Sequence, residues 1–125
     1  MVGGIDREPK GEVHGIAHIT GEGILGGLRR MLMLTDLGAF LENPIMPPEV
    51  MIYAQTLAKI PMTEAYQTWN MGHGMIIATP SPQEIIKVAQ AHNIEAQVVG
   101  TVTRDPAIRI RTFDKCGELG EVLRF

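Results

Sequence analysis

Gly21-x-Gly23-x-x-Gly26 stands between a β-branched run and an apolar stretch with helical spacing. A glycine turn there exposes backbone N–H groups, and a helix N-terminus directly after it favours an anion. As a pattern it matches the dinucleotide fingerprint, and Glu42, 21 residues beyond Gly21, falls near the place of a ribose-binding acid. His18 and Thr20 make the end of the preceding run polar, and no second series of regular strand–helix units comes after; both features oppose a nicotinamide site. A phosphate-facing loop and a glycine-rich packing turn are the other readings. His18, beside the loop, is either a hydrogen-bond donor to an anion or a satisfied core histidine. His14 and His18 stand four apart, but in a strand-like run with no cysteine or acid to complete a set, so no metal is assigned.

A second glycine pair lies in Asn70-Met71-Gly72-His73-Gly74-Met75. It reads as a tight turn, or as a second place where backbone approaches a ligand, with Asn70 supplying an orienting amide. Cys116 reads as a structural thiol rather than a nucleophile, since no partner is implied by its spacing. Arg109 and Arg111 alternate on one strand and face either water or a partner. No serine–histidine–aspartate arrangement and no acidic cluster for Mg²⁺ is visible, so no catalytic residue is named.

The elements that must position these residues are read from periodicity. Val13–Thr20 reads as a strand and Leu25–Leu34 as a short helix with Arg29 and Arg30 on one side. Leu37–Leu41 reads as a strand, and Asn43–Pro48, with three prolines, as a loop. Pro48 and Glu49 open a helix carrying Val50, Met51, Ala54, Leu57 and Ala58, which Pro61 ends. Thr63 would cap a short helix to Asn70, and Met75–Thr79 is an apolar strand. Ser81-Pro82-Gln83-Glu84 predicts a capping box opening a helix with Ile85, Ile86, Val88 and Ala89 inward. Ala96–Thr103 and Ala107–Thr112 are expected as a hairpin about Arg104-Asp105-Pro106; residues 113–125 are ambiguous. Strands alternating with helices and ending in a hairpin imply an α+β fold with mixed pairing.

The chain has 125 residues, a length for one domain with a real core. Apolar residues at 45% and charged residues at 20% exclude global disorder. No apolar run approaches the ~18 residues of a membrane helix. Nothing resembles a signal peptide, and one cysteine excludes a disulfide scaffold, so a reducing cytoplasmic setting is expected. A net charge of −3 and 5% aromatic residues leave neither a basic footprint nor a stacking platform for nucleic acid. The eight methionines, Met31, Met33, Met46, Met51, Met62, Met71 and Met75 among them, read most simply as core filler.

His18-Ile19-Thr20-Gly21-Glu22-Gly23 resembles the HITGGG motif of the aminoimidazole ribonucleotide (AIR) synthetase family, the phosphoribosylformylglycinamidine cyclo-ligases of purine synthesis. Glu64-Ala65-Tyr66-Gln67-Thr68-Trp69-Asn70-Met71-Gly72-His73-Gly74-Met75 is similar to that family's EMYRTFNxGxGM motif. The spacing between them, the LGAFLEN strand and the VVGTV strand match as well. The resemblance covers roughly residues 12–112, with 1–11 as a lead-in and 113–125 as an extension. It implies an α/β/α sandwich with a mixed sheet, the C-terminal domain of a two-domain enzyme. Relatives of that enzyme include formylglycinamidine ribonucleotide amidotransferase, selenophosphate synthetase, thiamine-monophosphate kinase and a hydrogenase maturation protein. In that group an N-terminal domain binds ATP and metal and forms the dimer core, while the C-terminal domain offers its glycine loop to the substrate.

Carried onto this chain, the resemblance implies that Thr20, Gly21, Glu22 and Gly23 face a phosphorylated small molecule, with His18, Asn70, Gly72 and Gly74 nearby. ATP and Mg²⁺ would be held by the N-terminal domain and no cofactor by this chain alone. The expected partners are that domain or a second copy in a dimer, and not nucleic acid or membrane. Two residues depart from the motifs. Glu22 replaces a glycine, and a carboxylate ~5 Å from a phosphate charge costs about 3 kcal/mol per unit charge at an effective dielectric of ~20. It must point away, be bridged by a cation, or end phosphate binding. Gln67 replaces an arginine, removing a positive charge. The leading reading is therefore an enzyme half, not catalytic alone. The second is a stand-alone binding or regulatory module, and the third a nicotinamide-binding domain.

Overall fold

In the computed structural model, which describes residues 8–114 and 117–125, ten elements are arranged in the order β1 (Gly15–His18), α1 (Gly23–Leu32), β2 (Gly38–Leu41), α2 (Glu49–Ala58), α3 (Met62–Thr68), β3 (Met75–Ala78), α4 (Pro82–Ala91), β4 (Thr101–Thr103), β5 (Ile108–Phe113) and β6 (Leu119–Arg124). The fold is α+β with a mixed sheet, as expected. Cys116 lies outside the described residues. The chain divides into two compact units.

The larger unit, Ala17–Ile76 with Val99–Phe125, holds the hydrophobic core. Its four-stranded sheet has the order β4-β2-β5-β6. β2 is antiparallel to β4 (Phe40 opposite Thr101) and parallel to β5 (Phe40 opposite Arg109), and β5 is antiparallel to β6 (Arg109 opposite Arg124). Alternation puts Ile108, Ile110 and Thr112 into the core and turns Arg109, Arg111 and Phe113 to the other face. α1 buries Ile24, Leu25, Leu28 and Leu32, the stripe that its spacing dictates, and packs against α3, which buries Ala65 and Tyr66. The Tyr66 hydroxyl is satisfied by accepting the Phe113 N–H at 3.1 Å.

The expected hairpin of the last two predicted strands does not form. β4 and β5 run in opposite directions, but β2 lies between them. The connecting Arg104-Asp105-Pro106 instead crosses the end of β2. Gly38 permits this, because a side chain there would collide with the Asp105 and Ala107 carbonyls and come within 2.7 Å of the Pro106 carbonyl carbon. β4 is limited to Thr101–Thr103, opposite Phe40, Ala39 and Gly38 of β2; the Asn43 N–H adds one bond to the Val99 carbonyl at 3.0 Å, and residues 96–100 of the expected strand stay outside it. Residues 119–124, undecided by sequence, become β6, with Phe125 and Ile108 exchanging backbone bonds of 2.9 and 3.2 Å. The helix expected to be capped by Thr63 starts earlier, at Met62, with Pro61 as its N-cap residue.

α2 keeps its boundaries, closing at Lys59 in the left-handed conformation with its N–H on the Gln55 and Thr56 carbonyls. Of its expected apolar stripe only Met51 packs against the core. Val50, Tyr53 and Leu57 are 70%, 68% and 71% exposed. The methionines likewise divide. Met71 is buried and Met31, Met51 and Met62 pack at the core's margin, but Met33, Met46 and Met75 are exposed.

The smaller unit comprises residues up to Ile16 and Ile77–Val98. The His14 N–H reaches the Ala78 carbonyl at 2.8 Å. α4 starts after Ser81 with Pro82 at its first turn, but the capping box is not made. Ser81 gives no side-chain cap, and its own N–H donates to the Thr79 hydroxyl at 3.0 Å. Ile85, Ile86, Val88 and Ala89 are half-buried. β1 and β3 form a separate two-stranded sheet. Consequently β1, α1 and β2 do not form a strand–helix–strand unit in one sheet, the geometry that a nicotinamide fingerprint requires.

Candidate anion-facing loop

The loop begins where β1 ends. Ala17 and Ile19 point inward, so His18 and Thr20 share the exposed side. Three backbone bonds fix the bend from β1 into α1. Ile19 N–H donates to the Gly74 carbonyl at 3.0 Å, Gly23 N–H to the Thr20 carbonyl at 3.0 Å, and Ile24 N–H to the Trp69 carbonyl at 3.3 Å. The two glycine motifs, some fifty residues apart in sequence, are thereby joined main chain to main chain.

The glycines of the first motif have different duties. Gly23 is buried, with φ +64°, and a Cβ there would lie 2.5 Å from the Gln67 carbonyl oxygen and 2.8 Å from the Thr68 carbonyl carbon. Glycine is required by both the left-handed backbone and the close approach of α3. Its N–H, and that of Ile24, serve internal acceptors, so the opening of α1 presents fewer free donors than the sequence suggests. Gly21 is the opposite case. It is exposed, with open space where a Cβ would stand. Among the described residues neither Gly21 nor Glu22 gives its N–H to a backbone acceptor. The exposed mouth of the loop is therefore Thr20, Gly21 and Glu22, with His18 on the same side.

Glu22 does not turn into that mouth unaccompanied. Its carboxylate accepts a hydrogen bond from Arg30 Nη1 at 2.7 Å, and Arg30 Nη2 donates to the His18 carbonyl at 3.2 Å. The guanidinium, two turns along α1, neutralises the acid and ties both ends of the loop. Both side chains are about half exposed, so the pair adds little stability but sets the local charge. The eight-residue separation of Glu22 and Arg30 is not a helical i,i+4 signal; the placement of Arg29 and Arg30 on one face was the only sequence hint.

The second motif supports the loop. Asn70 Oδ1 accepts the Gly72 N–H at 3.1 Å, forming a local turn, while Met71 and Gly72 take φ of 45° and 90°. Gly74 is exposed, with open space above it. His73, which sequence reasoning passed over, is 1% exposed. Its Nε2 accepts the Ile45 N–H at 3.1 Å, and Nδ1 lies 3.2 Å from the Asn70 and Met71 carbonyls. A backbone N–H can only donate, so Nε2 carries no proton and Nδ1–H faces the two carbonyls. Burial lowers the pKa of this imidazole, and the carbonyl contacts only partly oppose that. His73 thus pins the Asn43–Pro48 loop to the second motif in the neutral state. Burial likewise raises the Tyr66 pKa against the lowering by the Phe113 N–H.

His14 is exposed and bonded to Glu12 Oε1 at 2.8 Å. Among the described residues no group of three or more histidine, cysteine, aspartate or glutamate side chains comes together to hold a metal ion. No helix among them is long and apolar enough to cross a membrane.

Residues 3–112 match the family described as AIR synthase related protein, C-terminal domain. The chain is 37% identical over 93 residues to a phosphoribosylformylglycinamidine cyclo-ligase of Methanopyrus kandleri, covering 73% of this chain and 26% of that protein. Similar proteins of the same name occur in Picosynechococcus sp. (36% over 95 residues; 74% and 28%) and Methanocaldococcus jannaschii (35% over 99 residues; 77% and 27%). The chain spans little more than a quarter of the length of these relatives.

Proposed function

The chain belongs to the family of AIR synthase related C-terminal domains, and from that premise we propose that it is the substrate-side half of an ATP-dependent, cyclo-ligase-type enzyme. The observation that carries this reading is the loop mouth, where the unengaged Gly21 and Glu22 amides stand beside the Thr20 hydroxyl and His18, with the Glu22 charge held by Arg30. Fixed amides outside a strand end suit the oxygens of a phosphorylated substrate. The name of the relatives points to a phosphoribosyl compound as that substrate. ATP and its magnesium belong, in this reading, to an N-terminal domain on a longer chain or a separate one. Ring closure then needs both halves for positioning and charge stabilisation. The apolar stripe of Val50, Tyr53 and Leu57 on α2 supports a further contact, with that domain or a second copy, because surface apolar patches of this kind mark interfaces.

The test combines this chain with the N-terminal domain of a cyclo-ligase and measures ATP-dependent AIR formation. Activity that requires both proteins is expected; no activity and no association refutes the enzyme-half reading. The alternative, a stand-alone binding module, is favoured by Gln67 at the motif's arginine position. It predicts binding of ribose 5-phosphate by calorimetry without any activity in the mixture.

A further inference from the structure

We propose that Arg109 and Arg111 form a second anion site, on the face of the four-stranded sheet opposite the core, for a dianion of the phosphate-monoester class. The two side chains alternate with Ile108, Ile110 and Thr112 on β5 and so project from the same face, about 7 Å apart. Their Nε atoms are buried and have no hydrogen-bond partner, and they are the two such side-chain atoms among the described residues. Each Nε is closed to solvent while the residue as a whole is only half-buried, so an incoming anion meets the terminal nitrogens, and no protein acceptor shares the charge from within.

The surrounding row explains why the acceptor is anionic. Across the ladder Arg109 lies between Phe40 of β2 and Arg124 of β6. The Phe40 ring sits 4.8 Å beneath the Arg109 guanidinium, holding its plane without neutralising it. Asp105 is engaged by Arg124 at 3.3 Å, and among the described residues neither Arg109 nor Arg111 has an ion pair. Two cations thus stand uncompensated on a chain whose net charge is −3. One carboxylate would balance one of them. A phosphate monoester brings close to two charges and three acceptor oxygens, matching two guanidinium forks. This site is built only from β2, β5 and β6 and does not depend on the glycine loop.

The test is a titration of the full chain with inorganic phosphate, monitoring the arginine Nε–Hε signals by NMR, with chloride at matched ionic strength as control. Saturable shifts of the Arg109 and Arg111 signals with phosphate alone are expected. Arg109→Gln and Arg111→Gln should each weaken phosphate binding about tenfold, whereas Gly21→Ala should leave these signals' response intact. Equal responses to chloride and phosphate, or none, overturn the proposal. So does a response to a polyglutamate peptide without one to phosphate, which would make the face a protein-docking surface. The wild-type titration decides the matter even if either variant fails to fold.

Discussion

Replacing Gly23 and Gly21 separately by alanine distinguishes the glycine that builds the loop from the one that opens it. At Gly23 the left-handed backbone costs a β-carbon about 1–2 kcal/mol. The new methyl also meets main-chain atoms at 2.5–2.9 Å. These belong to the end of α3, held by the Trp69 N–H on the Ala65 carbonyl at 2.8 Å, so they yield only with a shift costing roughly 1–3 kcal/mol. The stiffer unfolded chain returns about 0.4–1 kcal/mol. The net loss is about 1–5 kcal/mol, a large part of the ~5–15 kcal/mol typical of a domain. At Gly21 nothing lies within 4 Å and the backbone is not left-handed, so Gly21→Ala should stay within about 0.5 kcal/mol of wild type. Urea unfolding monitored by circular dichroism measures both, and calorimetry with ribose 5-phosphate measures the loop's function. Gly21→Ala should weaken binding by crowding the mouth while leaving stability alone. A Gly23→Ala protein as stable as wild type, or a Gly21→Ala protein as damaged as the other, would show that the two duties have been misassigned.

Arg30→Ala should leave stability within about 1 kcal/mol but weaken phosphate-ligand binding several-fold, because Glu22 then repels the anion; the Glu22→Gln, Arg30→Gln double variant should bind like wild type. Calorimetry at two salt concentrations checks this, and an Arg30→Ala affinity equal to wild type contradicts the charge-shielding role. His73, its pKa lowered on folding, binds a proton less readily in the folded state than unfolded. Its stabilising effect is therefore full above about pH 6.5 and is lost as pH falls towards the lower folded value, with a slope of at most ~1.4 kcal/mol per pH unit. Melting temperatures from pH 8 to 5 should show this slope in the wild type and its loss in His73→Gln; identical slopes would exclude the histidine as the source. Tyr66→Phe leaves the Phe113 N–H without its acceptor and should cost about 1–3 kcal/mol by urea unfolding. An unchanged midpoint would mean that the amide finds another partner.

Local chemistry was legible where a residue's effect stays local. The apolar run Leu25–Leu34 marked α1, which starts and ends two residues earlier, Pro48 and Glu49 marked the start of α2, and the paired glycine motifs pointed to the family. Distribution of those elements was not legible. Arg104-Asp105-Pro106 has the composition of a hairpin turn, yet β2 enters between the two strands it joins, because Gly38 leaves room for the crossing chain. The α2 stripe has the periodicity of a core helix but, Met51 apart, lies exposed, since periodicity records which residues share a face and not what covers it.

The loop divides in the same way. Sequence alone determined that glycines and a threonine come directly after an opening strand, because residue type and order are enough to mark a bend that few side chains tolerate. Only the tertiary structure decided which amides remain unengaged, where the Glu22 charge is answered and which histidine is buried neutral. Those properties depend on partners from Arg30, Ile45, Gln67 and Trp69, whose approach is set by packing across the core rather than by any short-range spacing along the chain.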